Sequence, residues 1–181
     1  MQNTMERRAA ELEVRAKGRT LEGYAAVFGV RASVADFDEV IEPGAFAATL
    51  RDQPNADVLA LVDHNPSQLL GRTRNRSLEL SEDTRGLHFR VALPKTTLAD
   101  DILALAEAGT LGGASFGFRA LRDAWTGTLR TLKAVDLREI SIVRAWPAYP
   151  QTTVSARALG HASAGPLARR LRILELEGGA S

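Results

Sequence analysis

Three residues of this chain have types and settings that could do chemistry together: His64, Ser115 and Glu139. With no cysteine there is no thiolate nucleophile, no disulfide framework and no cysteine-held metal, so covalent catalysis would have to use Ser, Thr, Lys or a carboxylate. Of the histidines, His161 falls in a small-residue stretch and His88 on the outward face of a predicted hairpin, which leaves His64 as the candidate base. It follows the apolar run Val58-Leu59-Ala60-Leu61-Val62, within the turn-forming Asp63-His64-Asn65-Pro66, so it sits at a strand end, where a histidine that merely caps a strand would also sit. Ser115 lies in Gly113-Ala114-Ser115-Phe116-Gly117, which satisfies the G-x-S-x-G pattern of hydrolase nucleophile elbows. That elbow runs strand, turn, helix, whereas here a helix precedes the serine and a strand follows it. A serine with small neighbours leaves room for a substrate carbonyl, and would equally fill a tight strand entry. Glu139 is read on a strand face with Val135, Leu137, Ser141 and Val143, where a carboxylate needs a partner. Arg138 or Arg144 could pair with it structurally; otherwise it could orient an imidazole.

The elements that must position these groups follow from periodicity and turn chemistry. Alternation from Leu12 to Val30, broken at Gly18, predicts two strands, and Pro43 opens a short predicted helix with Phe46 and Leu50 on one face. Ser77–Ser81 and Leu87–Val91 flank a polar turn and read as a hairpin. Thr97, with Asp100 three residues on, opens the clearest helix, whose apolar stripe Leu98, Ile102, Leu105 and Ala106 ends at Gly109. Phe116 and Phe118 share a strand face opposite Ser115, and Leu132–Val143 forms a long strand. Asp136, by alternation, is expected on the face opposite Glu139. Trp146–Pro150 interrupts pairing, and Thr152–Ser155 could add a last strand.

A catalytic domain is expected over 1–157, followed by a linker from Ala158 and an amphipathic tail to 181. In the tail helix Leu167–Glu177 the arginines precede the glutamates, an order that opposes the helix dipole, so it would need a partner or be discarded. With 181 residues, 45% hydrophobic and 25% charged, the chain can bury about 70% of its surface, enough for one core. Twenty-three Lys and Arg against 22 Asp and Glu give a net charge of +1, and aromatics make up 6%, so nucleic acid is a poor partner. No apolar run reaches the ~20 residues of a membrane span, and the chain reads as cytosolic.

Taken in order, five motifs strongly resemble the prohead (procapsid) maturation serine proteases of tailed bacteriophages. They are Leu21-Glu22-Gly23-Tyr24-Ala25-Ala26-Val27-Phe28, Ile41-Glu42-Pro43-Gly44-Ala45-Phe46, Asp63-His64-Asn65 with Gly71-Arg72-Thr73, Gly113–Phe118, and Glu139-Ile140-Ser141-Ile142-Val143. The resemblance covers roughly residues 12 to 156. It implies a mainly β (α+β) fold with a herpesvirus assemblin-like β-barrel and surrounding helices. It also implies His64 as general base, Ser115 as nucleophile and Glu139 as the third member, where the herpesvirus enzymes carry a second histidine. Arg144, Gly113 and Ala114 fall in the region expected to supply the oxyanion site. The implied function is a serine endopeptidase that processes scaffold and major capsid protein inside the procapsid, in the host bacterial cytoplasm, with self-association and self-cleavage between Ala158 and the end of the tail helix. No metal or organic cofactor is implied. The competing readings are a capsid-assembly or scaffold-binding protein that cuts nothing, and a serine esterase using the G-x-S-x-G match.

Overall fold

Alternating residues separated by tight turns make this chain a set of strands. The computed structural model describes residues 5–10, 14–51 and 56–145. Eleven strands and two α-helices occur among them: β1 (Glu6–Ala10), β2 (Val14–Lys17), β3 (Thr20–Val27), β4 (Ala32–Val34), β5 (Phe37–Ile41), α1 (Ala47–Arg51), β6 (Leu59–Val62), β7 (Asn65–Arg72), β8 (Leu78–Glu82), β9 (Gly86–Ala92), α2 (Thr97–Glu107), β10 (Gly113–Thr126) and β11 (Leu129–Val143). The boundary at 157, the linker with His161, the tail helix, the break at Trp146–Pro150 and the strand at Thr152–Ser155 lie outside the described residues.

The strands form two sheets. One is four-stranded in the order β2-β3-β9-β8; the other follows the path β1-β10-β11-β5-β4, with β6 and β7 attached to β11 as a branch. The branch has a simple cause. At 15 residues, β11 is long enough to take β5 as a parallel neighbour along Leu129–Leu132 and β6 as another along Glu139–Ile142. The pairing forks instead of returning on itself, so the expected closed barrel is corrected, among the described residues, to two open sheets in a mainly β fold. The inner faces of the sheets pack together: Leu21, Leu87 and Phe89 from one meet Phe118, Leu137 and Ile140 from the other, all nearly or wholly buried. Phe116 stacks on Phe118 with ring centroids 5.1 Å apart and takes Phe46 edge-on at 5.5 Å.

One irregularity decides which way the candidate carboxylate points. Along the β10–β11 ladder Ala114 faces Ile142, Phe116 faces Ile140 and Gly117 faces Glu139, but Phe118 faces Leu137, so Arg138 is an extra residue on β11. Because one inserted residue reverses the alternation, Val135 and Leu137 face the core before it and Ile140 and Ile142 after it. Glu139 and Ser141 are thereby turned to the other side of the sheet. The expectation that Glu139 shares a face with Val135 and Leu137 is corrected by this bulge.

The second helix begins at Thr97 as predicted, with its cap one residue earlier, and the first begins later than predicted. The helix predicted at Pro43 is a turn followed by the single helical turn α1. The cap of α2 is Thr96, whose Oγ1 accepts the Ala99 N–H at 3.3 Å, while Asp100 pairs with Arg19 at 2.6 Å. No described helix is long and apolar enough to cross a membrane.

Candidate active site

A strained turn presents His64. Val62 pairs with Asn65 across the β6–β7 hairpin, so Asp63 and His64 form the whole loop, with φ of 48° and 58°. Two positive φ values match the twist of a two-residue hairpin, and Asp and His are among the few non-glycine residues that adopt them readily. Neighbours hold the strain in place. The Asp63 carboxylate accepts the Arg144 backbone N–H at 3.0 Å and its Nε–H at 2.7 Å, and Ser141 Oγ accepts the His64 backbone N–H at 3.1 Å. Arg144, considered from sequence for the oxyanion region, is engaged here in fixing the turn that carries His64.

Ser115 enters from β10, opposite Ser141 on β11, just after Gly113, whose φ of 134° suits glycine. Its Oγ lies 2.8 Å from His64 Nε2. On the other side of the ring, His64 Nδ1 lies 2.6 Å from Glu139 Oε1. The remaining carboxylate oxygen, Oε2, accepts the Ser141 hydroxyl at 2.6 Å. A carboxylate only accepts, so Nδ1 carries the shared proton, and a neutral ring then leaves Nε2 as the acceptor facing Ser115. Hydroxyl, imidazole and carboxylate thus stand in line, an arrangement that can draw a proton from the serine as it attacks a carbonyl.

The other sequence candidates are placed elsewhere. His88 is on β9 with its ring edge-on to Tyr24, centroids 5.3 Å apart. Asp136 receives Arg138 Nη2 at 2.5 Å on a partly exposed stretch. Gly113 and Ala114 lie beside Ser115 at the start of β10. Among the described residues no group of three His, Asp or Glu side chains is placed to hold a metal ion.

Sequence reasoning missed Ser141, although it had placed it on one face with Glu139, and it missed β1 altogether. That strand runs antiparallel to β10, with Arg7 opposite Gly117 and Ala9 opposite Ser115. Arg7 Nε approaches Glu139 Oε1 at 3.4 Å, and the Arg8 carbonyl accepts the Ser115 hydroxyl at 2.5 Å. The Arg8 guanidinium forks onto Glu39 at 2.6 and 2.8 Å, and reaches Glu6 at 2.8 Å. Arg130 completes the cluster by contacting Glu6, Glu39 and Asp123. Burial pushes the Glu6 carboxyl up, but the hydrogen bonds and charges of Arg130 and Arg8 outweigh it and hold the group below its ordinary range.

Gly117 has no room for a side chain. A Cβ there would collide with the Glu139 carboxylate and stand 2.7 Å from the Met5 methyl and 2.9 Å from Glu139 Cγ. Gly117→Ala is therefore expected to push Glu139 off His64 while leaving the strands paired, and a misplacement of this order costs about 10²-fold in kcat with little change in KM. Steady-state kinetics beside a thermal melt check this; a folded variant retaining half its activity would show that Glu139 accommodates the methyl.

A family model for the caudovirus prohead serine protease matches residues 3–164. The prohead protease of Enterobacteria phage HK97 is 36% identical over 140 residues, which make up 75% of this chain and 58% of that protein. The chain thus spans little more than half the length of that relative. In fold it is similar to the capsid assembly protease of bacteriophage T4, with a TM-score of 0.51 at 14% identity over 78% of this chain and 96% of that one.

Proposed function

We propose that this chain, which belongs to the caudovirus prohead serine proteases, is an endopeptidase that cuts capsid and scaffold proteins as the phage head matures. The observation that carries the reading is the line Ser115 Oγ, His64, Glu139, with contacts of 2.8 and 2.6 Å, in a chain matched to a serine protease family along most of its length. Ser115 attacks the peptide carbonyl, and His64 takes its proton and returns it to the leaving amine. Glu139 holds the tautomer and stabilises the imidazolium, and water repeats the cycle to free the acyl-enzyme. Backbone N–H groups near Gly113 and Ala114 are the proposed oxyanion donors. The two-sheet arrangement is taken as an open relative of the herpesvirus assemblin-like architecture. The working place is the interior of the procapsid in the bacterial host, with self-association as a further property to measure.

A fluorophosphonate tests the chemistry: wild type should gain one adduct at Ser115 and Ser115→Ala none. A peptide substrate separates peptidase from esterase, and absence of any adduct would favour an assembly protein that cuts nothing.

Self-cleavage is proposed for the region between Ala158 and Glu177, where small residues, Gly160 and Pro166 make backbone that a protease groove can accept. Wild-type protein incubated at high concentration is expected to lose its C-terminal segment by intact-mass spectrometry, while Ser115→Ala keeps its full mass. Equal full-length masses, under conditions where an added peptide is cut, would refute it.

A further inference from the structure

Ser141 is 0% exposed, a costly place for a hydroxyl unless its hydrogen bonds are met. It stands where three stretches of the chain converge. Past the bulge at Arg138 it falls on the same side of β11 as Glu139, two residues away. β6 runs parallel beside it, with Leu61 against Ser141 and Val62 against Ile142, so the turn of Asp63 and His64 begins at its level. On the other flank, Ser141 pairs with Ser115 and Glu139 with Gly117, and these small partners leave the room that the carboxylate fills.

The direction of each bond at Ser141 is forced. A backbone N–H only donates, so the His64 amide at 3.1 Å takes a lone pair of Ser141 Oγ. The single hydroxyl proton is then left for Glu139 Oε2 at 2.6 Å, which as a carboxylate oxygen only accepts. Oε1 of the same carboxylate receives the Nδ1 proton of His64, also at 2.6 Å. The bonds make a ring that starts at the backbone of His64, passes through Ser141 and Glu139, and closes on the imidazole of His64. Such a ring fixes the backbone and the side chain of the base together, at a residue whose φ is 58°, and its bonds polarise one another. It also holds off a competitor. Arg7 Nε stands 3.4 Å from Oε1, and a carboxylate released by Ser141 is free to turn toward that cation and away from Nδ1.

We infer that Ser141 is a positioning residue for the reaction: one buried hydroxyl holds the carboxylate and the histidine turn at once, and so sets the contact through which Glu139 aims His64 at Ser115. This rests on Ser115, His64 and Glu139 being the catalytic set. The Ser141 hydroxyl is committed on both sides, so it acts through Glu139 and His64 and not on the peptide.

The test is steady-state cleavage of a peptide by the full chain, by Ser141→Ala, Ser141→Thr and Glu139→Gln, and by the double variant Ser141→Ala/Glu139→Gln, each read well below its thermal transition. Ser141→Ala is expected to lose about 10²-fold in kcat, as a misplaced group does, with KM within about twofold of wild type. Ser141→Thr keeps the hydroxyl and is expected to be at least about tenfold faster than Ser141→Ala. The double variant is expected to be no slower than Glu139→Gln, because both changes act through one contact. A folded Ser141→Ala enzyme within about threefold of wild type, or losses that multiply in the double variant, overturns the inference and leaves the catalytic set in place. Wild type that cuts no peptide, or cutting that survives Ser115→Ala, removes the proposed function and the inference together. Should Ser141→Ala fail to fold, amide exchange in wild type gives the answer. The His64 amide, at the tip of a two-residue turn, is expected to be protected as well as those joining β6 to β11, since Ser141 holds it. Free exchange at His64 beside a protected ladder means an open ring and overturns the inference.

Discussion

Ser115→Ala is expected to lower kcat for peptide cleavage by about 10⁶-fold, the loss seen when a nucleophile is removed from a cooperating set. The change deletes one oxygen from a strand whose neighbours Ala114, Phe116 and Ile142 keep their contacts, so the melting temperature should move by only a few degrees. His64→Ala is expected to be nearly as inactive, although its origin is different: it removes the acceptor and leaves the Glu139 carboxylate with Ser141 and Arg7 as partners. The informative measurement is the double variant. If Ser115 and His64 act as one unit, Ser115→Ala/His64→Ala is little worse than either single change. Losses that multiply would mean that the two residues, though 2.8 Å apart, serve separate steps.

Local pattern made much of this arrangement readable in advance. Alternation placed Ser115 opposite Phe116 and Phe118, and the ladder agrees, with Phe116 and Phe118 in the core. Turn chemistry located the β2–β3 and β8–β9 hairpins and put His64 at a strand end. What escaped was set by pairing between distant segments. No local signal marks Arg138 as the residue at which β11 bulges, yet this bulge turns Glu139 from the core face toward His64. The same bulge puts Asp136 on the side of the sheet that Glu139 occupies, not on the opposite face that strict alternation predicts. Crossing the bulge reverses the faces, and it is the Arg138 ion pair, together with the 2.6 Å bond from Glu139 to His64, that separates the two acids. The fork of β11 between β5 and β6, and the placing of β1 over Ser115, join residues dozens to more than a hundred positions apart, beyond the reach of any window.

The separation of the two acids gives the second large effect. Glu139→Gln keeps the volume and removes the charge, and in a serine triad the corresponding change lowers kcat by about 10⁴. The local geometry explains why the loss should be comparable here. A glutamine can aim its carbonyl at His64 Nδ1 only by aiming its NH2 at Ser141 Oγ, and that hydroxyl already accepts the His64 backbone N–H at 3.1 Å. Aimed the other way, the NH2 faces Nδ1, the ring proton is forced to Nε2, and the imidazole can no longer accept from Ser115. In either orientation the imidazolium formed during attack loses its buried counter-ion, while Arg7, 3.4 Å from the same oxygen, adds an uncompensated positive charge. The loss is expected in kcat, with KM nearly unchanged, because the carboxylate acts on the imidazole as charge develops there and not on the peptide before it reacts. Asp136→Asn should stay within a few-fold of wild type, since it breaks only a half-exposed pair with Arg138. The two variants measured side by side decide the assignment: a near-normal Glu139→Gln beside a crippled Asp136→Asn would move the third role to Asp136, across the bulge that turned Glu139 toward the histidine.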